Sequence, residues 1–338
     1  MYETEEGFIK EAPTLDKVPE VYRDSPKTRC VPVFKQPKVK RQLYLDRTAQ
    51  QRKGNVRSAP SAGAGAAGLA KPSEIKLKGT KRRENMASSV GRIELRWPRS
   101  VELVFGRTPK RAMADAARTV SRALKKSGFP PALQKLDIDW QIVFMDSELP
   151  DTQIPASLIN NCHPGWMTPP SNIYIVGQRV AGGCGGQQAR RSVADSRLAE
   201  VIIHEMGHAV EHHLLQKRFS GDRLRIEGFA TWFQVYASEF SAVISSGSVR
   251  DKIFQSAKTS IRKNPNSFSF SGTAEDYARA SLYFHAVVKY HGGVRSLMKV
   301  YDAMRTERLN FFDAVDKKLN WSRAKLEEKA AKVVGVRL

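Results

Sequence analysis

The sequence predicts an α+β domain: a small mixed sheet in the N-terminal part, then a mostly helical C-terminal half. Two observations carry this. Between residues 92 and 176, apolar side chains alternate with polar ones in short runs, the period of half-buried strands. From about Asp195 onward, every periodic stretch has helical spacing instead. Strands first and helices after is the order expected of an α+β fold rather than of alternating βα units.

Order begins near Arg92. Ile93, Leu95 and Trp97 alternate up to Pro98, and Val101, Leu103 and Phe105 repeat the pattern beyond it. Thr108-Pro109 reads as an N-cap followed by proline at the first helical position, with Ala112, Ala116, Val120 and Leu124 at helical spacing and Gly128 as the stop. Leu136, Ile138, Trp140 and Ile142 alternate as a second strand, and Ile173–Val176 forms a short third one. Helices are expected over residues 195–217, 225–245, 248–263, 273–291, 293–306 and 321–333.

The first 90 residues differ in kind. Between Arg23 and Arg83 stand 17 Lys or Arg against three acids, and residues 58–73 (SAPSAGAGAAGLAKPS) have the composition of a flexible linker. The domain reading is therefore a basic arm over 1–90 and a folded domain over 91–338. The net charge of +22 favours an anionic partner, nucleic acid or an acidic surface, with residues 23–83 as its footprint. No run of about 18 apolar residues occurs, so no transmembrane segment is expected. The acidic start MYETEEGFIKEAPTLD has no apolar h-region and does not read as a signal peptide.

The chemistry concentrates in the second half. Val201-Ile202-Ile203-His204-Glu205-Met206-Gly207-His208 places His204 and His208 one helical turn apart, able to share a metal ion. Glu205, one step round the helix, is positioned to act on water beside that ion. Nineteen residues after His208 comes Glu227, in Ile226-Glu227-Gly228-Phe229-Ala230. The turn-like Phe219-Ser220-Gly221-Asp222 between them lets a second helix fold back and offer that carboxylate. Two histidines and one carboxylate form a catalytic zinc set.

With these residues the chain resembles the gluzincin zinc metallopeptidases, in particular the aminopeptidase-N-like and peptidase MA-like families. They share HExxH, an eighteen-residue spacer and a Glu-Gly-Phe-Ala segment, and the resemblance covers roughly residues 170–310. It implies a zincin-like fold, one Zn2+ held by His204, His208 and Glu227, and Glu205 as general base in peptide-bond hydrolysis. It also implies a tyrosine donor to the oxyanion on a later helix. Asp276-Tyr277-Ala278-Arg279-Ala280-Ser281 fits that context, with Tyr283 and Tyr290 behind Tyr277. The families' Gly-x-Met-Glu-Asn segment has no counterpart. The stretch Ala181-Gly182-Gly183-Cys184-Gly185-Gly186 stands there, so endo- and exopeptidase action both stay open. Thr231 occupies the place where some gluzincins carry an acid that holds a ligand histidine.

Other residues invite a role. His212 and His213 read as surface or supporting groups, His163 as a solvated loop residue and His285 as a packed one. Cys162 and Cys184 bracket the third strand, and a disulfide between them would favour an extracytoplasmic location. The strand Ile173–Val176 is the expected partner for an extended substrate backbone. Two other readings stand beside the peptidase: a catalytically inactive peptidase-fold binding module, and a nucleic-acid-associated protease delivered by the basic arm.

Overall fold

The structure is a computed structural model that describes residues 2–3, 9–10, 81–98, 101, 105, 109–126, 128–145, 163–182, 191–216, 221–265 and 268–337. The chain divides into two compact units, Met1–Leu69 and Ala70–Leu338. In the first, strands β1 (Tyr2–Glu3) and β2 (Ile9–Lys10) pair antiparallel. The rest of the basic arm up to residue 80 lies outside the described residues. So do Cys30, Cys162 and Cys184, and with them the expected disulfide.

The second unit is α+β, as the sequence predicts. Among the described residues its sheet has five strands: β3 (Lys81–Ser88), β4 (Gly91–Pro98), β5 (Trp140–Met145), β6 (Gly165–Thr168) and β7 (Asn172–Val176). They lie in the order β3-β4-β5-β7-β6, with β4, β5 and β7 parallel and the two outer strands antiparallel to their neighbours. β3 falls inside the stretch that the sequence assigns to the arm. Its residues, KRRENMAS, are charged as suits a sheet edge, where unpaired backbone must be kept from aggregating. Arg83 bonds Glu94 across the hairpin at 2.8 Å, and Glu84 meets Lys110 at 3.0 Å.

Ile93, Leu95 and Trp97 of β4 point into the main core with Trp140, Ile142 and Phe144 of β5. The other face of β5 gathers Val143 and Met145 with Trp166, Tyr174 and Val176 in a second cluster. Two readings change here. The second strand begins at Trp140 rather than Leu136, and the Ile138 N–H instead reaches the Val90 carbonyl at 3.2 Å. Val101 and Phe105 alternate as a strand would, yet both are helical and buried. They stand four residues apart, a spacing that also suits one face of a helix, so the short pattern was ambiguous.

Helix α1 (Lys110–Lys125) buries Ala112, Ala116, Val120 and Leu124 as predicted, and a short α2 (Pro131–Gln134) follows. After β7 come α3 (Gly177–Gly182), α4 (Arg191–Leu215), α5 (Arg223–Ser238), α6 (Ser248–Lys263), α7 (Ala274–Tyr290), α8 (Val294–Glu307), α9 (Phe311–Leu319) and α10 (Arg323–Val333). The helix α9 is not in the sequence reading. It buries Phe311, Ala314, Val315 and Leu319, a helical stripe too short to stand out, and Asn310 caps it by accepting from the Asp313 N–H at 2.9 Å. α4 packs against α1, α5 and α8, while α5 also packs against α7. No described helix is long and apolar enough to cross a membrane.

Candidate metal centre

α4 carries His204, Glu205 and His208, and α5 carries Glu227. Asp222 starts α5 by accepting from the Arg225 N–H at 3.2 Å, which places Glu227 in the second turn rather than the first. Two glycines let the helices close. Gly207, between the histidines, faces Ala230 of α5, where a Cβ would stand 3.2 Å from the Ala230 Cα. Gly228, beside Glu227, faces α7, where a Cβ would meet the Phe284 ring at 2.8 Å and the Ala280 carbonyl at 3.0 Å. Larger side chains at either position would hold the ligand-bearing helix away from its neighbour.

The result is a group of His204, His208 and Glu227 whose ligating atoms all lie within 4.8 Å of one another, close enough to bind a metal ion. His204 Nε2 and His208 Nε2 stand 3.4 and 3.5 Å from Glu227 Oε2, with the two rings perpendicular at 4.9 Å. Burial pushes the Glu227 carboxyl up, but the imidazoles of His208 and His204 overcome it and hold that group far below the usual carboxylate range. Glu205 is buried beside them. Burial pushes its carboxyl up to about 8, with Glu227 adding and His204 opposing.

Tyr277 reaches the same place from the second turn of α7. Thr273 caps this helix in a reciprocal box: it accepts from the Asp276 N–H at 3.2 Å, and Asp276 accepts from the Thr273 N–H at 3.1 Å and from Ser271 Oγ at 2.6 Å. That cap fixes the residue preceding Tyr277. The Tyr277 ring lies parallel to His204 at 6.4 Å and to Phe270 at 5.6 Å. Burial raises its hydroxyl pKa, and the Glu227 charge adds to this, so the group keeps its proton and acts as a donor at neutral pH.

His163 belongs here too, and not to solvent as the sequence reading had it. Its ring stacks on Tyr277 at 5.9 Å and 25°, and its carbonyl accepts from Arg179 at 3.1 Å. Burial lowers its pKa, with Glu227 opposing and Arg223, His204 and Arg179 reinforcing, so the ring is neutral near pH 7. Sequence reasoning missed it because β6, which fixes this loop, spans only four residues with no alternation to betray it. Four buried polar atoms without a hydrogen-bond partner converge on this region: Glu205 Oε2, His208 Nδ1, Tyr277 Oη and His163 Nε2. Native interiors rarely leave so many together, and a site that takes a ligand is a physical reason for it.

Two further expectations resolve differently, and a third, that His212 and His213 are not ligands, agrees with the structure. The Thr231 hydroxyl is buried without a hydrogen-bond partner, so it does not hold a ligand histidine. Ile173–Val176 cannot offer its edge to a substrate, because β7 lies between β5 and β6. The outer strand on that side is β6, which packs against α4. His212 and His213 are half-buried, in contact at 6.0 Å, and outside the ligand group.

Behind the site lies a network the sequence reading did not find. Glu211, three residues beyond His208 and fully buried, accepts from Arg225 of α5 and from the Tyr301 hydroxyl of α8, each at 2.5 Å on Oε1. It ties together the two helices that carry His204, His208 and Glu227. Burial pushes the Glu211 carboxyl up to about 7, with Arg225 and Tyr301 pulling against it. The i, i+3 spacing from His208 was a usable signal, since it puts an acid on the flank of the ligand face. No family model matches this chain, and no curated protein is found as its relative.

Proposed function

We propose that this protein is a zinc-dependent peptidase of gluzincin type, hydrolysing peptide bonds. The observation that carries the reading is the separation of the three ligating atoms beside a buried carboxylate that is not one of them. Atoms about 2.0–2.2 Å from one ion at tetrahedral angles stand roughly 3.3–3.6 Å apart. The 3.4 and 3.5 Å separations of the histidine nitrogens from Glu227 Oε2 fit that spacing. Two imidazoles and one carboxylate are also the donor set of catalytic zinc, which leaves a fourth position for water or substrate.

Zinc bound there supplies Lewis-acid chemistry, polarising a carbonyl and lowering the pKa of water towards about 7. The chain's own residues supply the rest. Glu205 is the general base: it takes the proton of the attacking water and returns it to the leaving amine. Its burial disfavours an isolated anion, so its carboxylate form depends on the cation beside it. Tyr277, protonated and otherwise without a partner, donates to the developing oxyanion. One such donor contributes about 3 kcal/mol to the transition state. β6 borders this group, its Gly165 close against Glu205.

Elemental analysis of purified protein tests the reading, with Glu227→Gln and Glu205→Gln beside it. The expected result is one zinc per chain, lost or reduced in Glu227→Gln, with Glu205→Gln retaining metal while peptide hydrolysis disappears. Absence of bound metal after zinc is supplied would overturn it.

A further inference from the structure

One cation at this centre has no counter-charge among the described residues. Arg223 lies one helical turn before Glu227 on the same face of α5, and its side chain is exposed. Its guanidinium rests over the Phe270 ring at 6.0 Å, and that ring lies parallel to Tyr277. The guanidinium also works against the burial that raises the Tyr277 hydroxyl, and it depresses His163, so its charge is felt at both donors. Among the described residues Arg223 takes part in no ion pair, although its neighbours Asp222 and Arg225 are both engaged elsewhere. Arg179 adds positive charge on the far side of His163, through its bond to the His163 carbonyl.

Among the described residues the acids that act on Tyr277 are Glu205 and Glu227, and a divalent ion at the ligand group offsets both. The wall formed by Arg223, Tyr277 and His163 then presents one fixed cation and two neutral donors, with no further carboxylate among the described residues to receive them. A guanidinium held on an aromatic face beside the Tyr277 hydroxyl, with no counter-charge among the described residues, is suited to bind a carboxylate through paired hydrogen bonds.

We infer that Arg223 is a specificity residue that binds a carboxylate of the substrate next to the scissile bond, so that the preferred substrates are peptides bearing that charge there. The inference rests on the peptidase reading above and names the substrate class of the same site. The carboxylate has two sources, an Asp or Glu side chain or the free C-terminus of a short peptide, and both present the same ligand chemistry.

The test uses the full-length zinc-loaded protein on a library of defined peptides. Each peptide is made with Asp or with Asn near the cleavage position, and each version as C-terminal acid and as C-terminal amide. The readout is the ratio of kcat/KM between charged and neutral members of a pair. Calorimetric binding of the same pairs to zinc-loaded Glu205→Gln protein is the second readout. We expect a preference of about tenfold for one charged source. It collapses in Arg223→Gln and is reduced but not abolished in Arg223→Lys, which keeps the charge and loses the paired geometry, with zinc content and unfolding midpoint the same in both variants. A preference in the Asp/Asn pairs assigns the side chain as the source, and one in the acid/amide pairs assigns the C-terminus. Equal rates and affinities within every pair, or a preference that survives Arg223→Gln, would overturn the inference while leaving the peptidase reading intact. Neither cleavage nor binding of any peptide by the zinc-loaded protein would overturn both.

Discussion

Gly165 of β6 lies close against Glu205 of α4: a Cβ built on Gly165 would stand 3.2 Å from Glu205 Oε1, 3.0 Å from the Val201 side chain and 3.1 Å from the Tyr174 carbonyl. The outer strand and the Glu205 carboxylate thus leave too little room for a side chain at residue 165. Gly165→Ala pushes either β6 or the Glu205 carboxylate outward. We expect peptide turnover to fall about tenfold or more, as displacement of a catalytic group does, with zinc content unchanged. Zinc content and turnover measured on the same preparation check this, and unaltered turnover would contradict it.

Gly228→Ala acts on the metal rather than on the base. The added methyl meets the Phe284 ring and the Ala280 backbone, and neither is the free end of a flexible side chain. α5 must therefore shift away from α7, carrying Glu227 with it. The expected cost is about 1–3 kcal/mol of stability, the usual penalty of overpacking, together with weaker zinc binding. Urea unfolding and competition with a chromogenic chelator measure the two effects.

Glu211→Gln removes the charge that the buried Arg225 guanidinium pairs with at Glu211 Oε1. Removing one partner of a buried pair costs about 3–5 kcal/mol, and the shift of the urea midpoint at unchanged m-value reports it. Replacing Glu211 and Arg225 together by apolar residues recovers much of that loss, because the uncompensated charge is gone. A single variant as stable as the parent would show that the network contributes little.

His285 makes stability sensitive to acid. Burial among its neighbours, with Arg250 and Lys289 reinforcing, pushes this ring down to about 3, and Phe254 packs edge-on against it at 4.9 Å. Its folded pKa lies below the value of about 6.5 in the unfolded chain, so between these limits the unfolded state binds the extra proton. The contribution is fully present above about pH 6.5 and is lost as pH falls towards 3, at no more than about 1.4 kcal/mol per unit. Glu211, pushed up to about 7, acts in the opposite sense. The diagnostic quantity is therefore the difference between the parent and His285→Phe. That difference should change between pH 7 and pH 5 in favour of the variant, and a constant difference would exclude the ring as the source.

Much of the centre was legible because it follows from helix geometry. His204 and His208 are one turn apart on any helix, and the turn at Gly221-Asp222 made the return of Glu227 foreseeable. Helices α6 and α7 also fall close to their sequence-based limits, since long apolar stripes and the Thr273 cap are local signals. β3 and β6 were missed for the opposite reason. One is too charged and the other too short to carry a periodic pattern, and both exist because a neighbouring strand offers its hydrogen bonds.

By itself, then, the amino-acid order determined the fold class, the helical frame and the trio His204, His208 and Glu227, all through spacings of a few residues. Tertiary structure alone decided that β7 is an inner strand, that His163 stacks on Tyr277, that Gly165 meets Glu205 and that Glu211 bridges to Arg225 and Tyr301. These contacts join residues as much as 114 positions apart, as between His163 and Tyr277. No local period encodes such a meeting, because it depends on how whole elements pack.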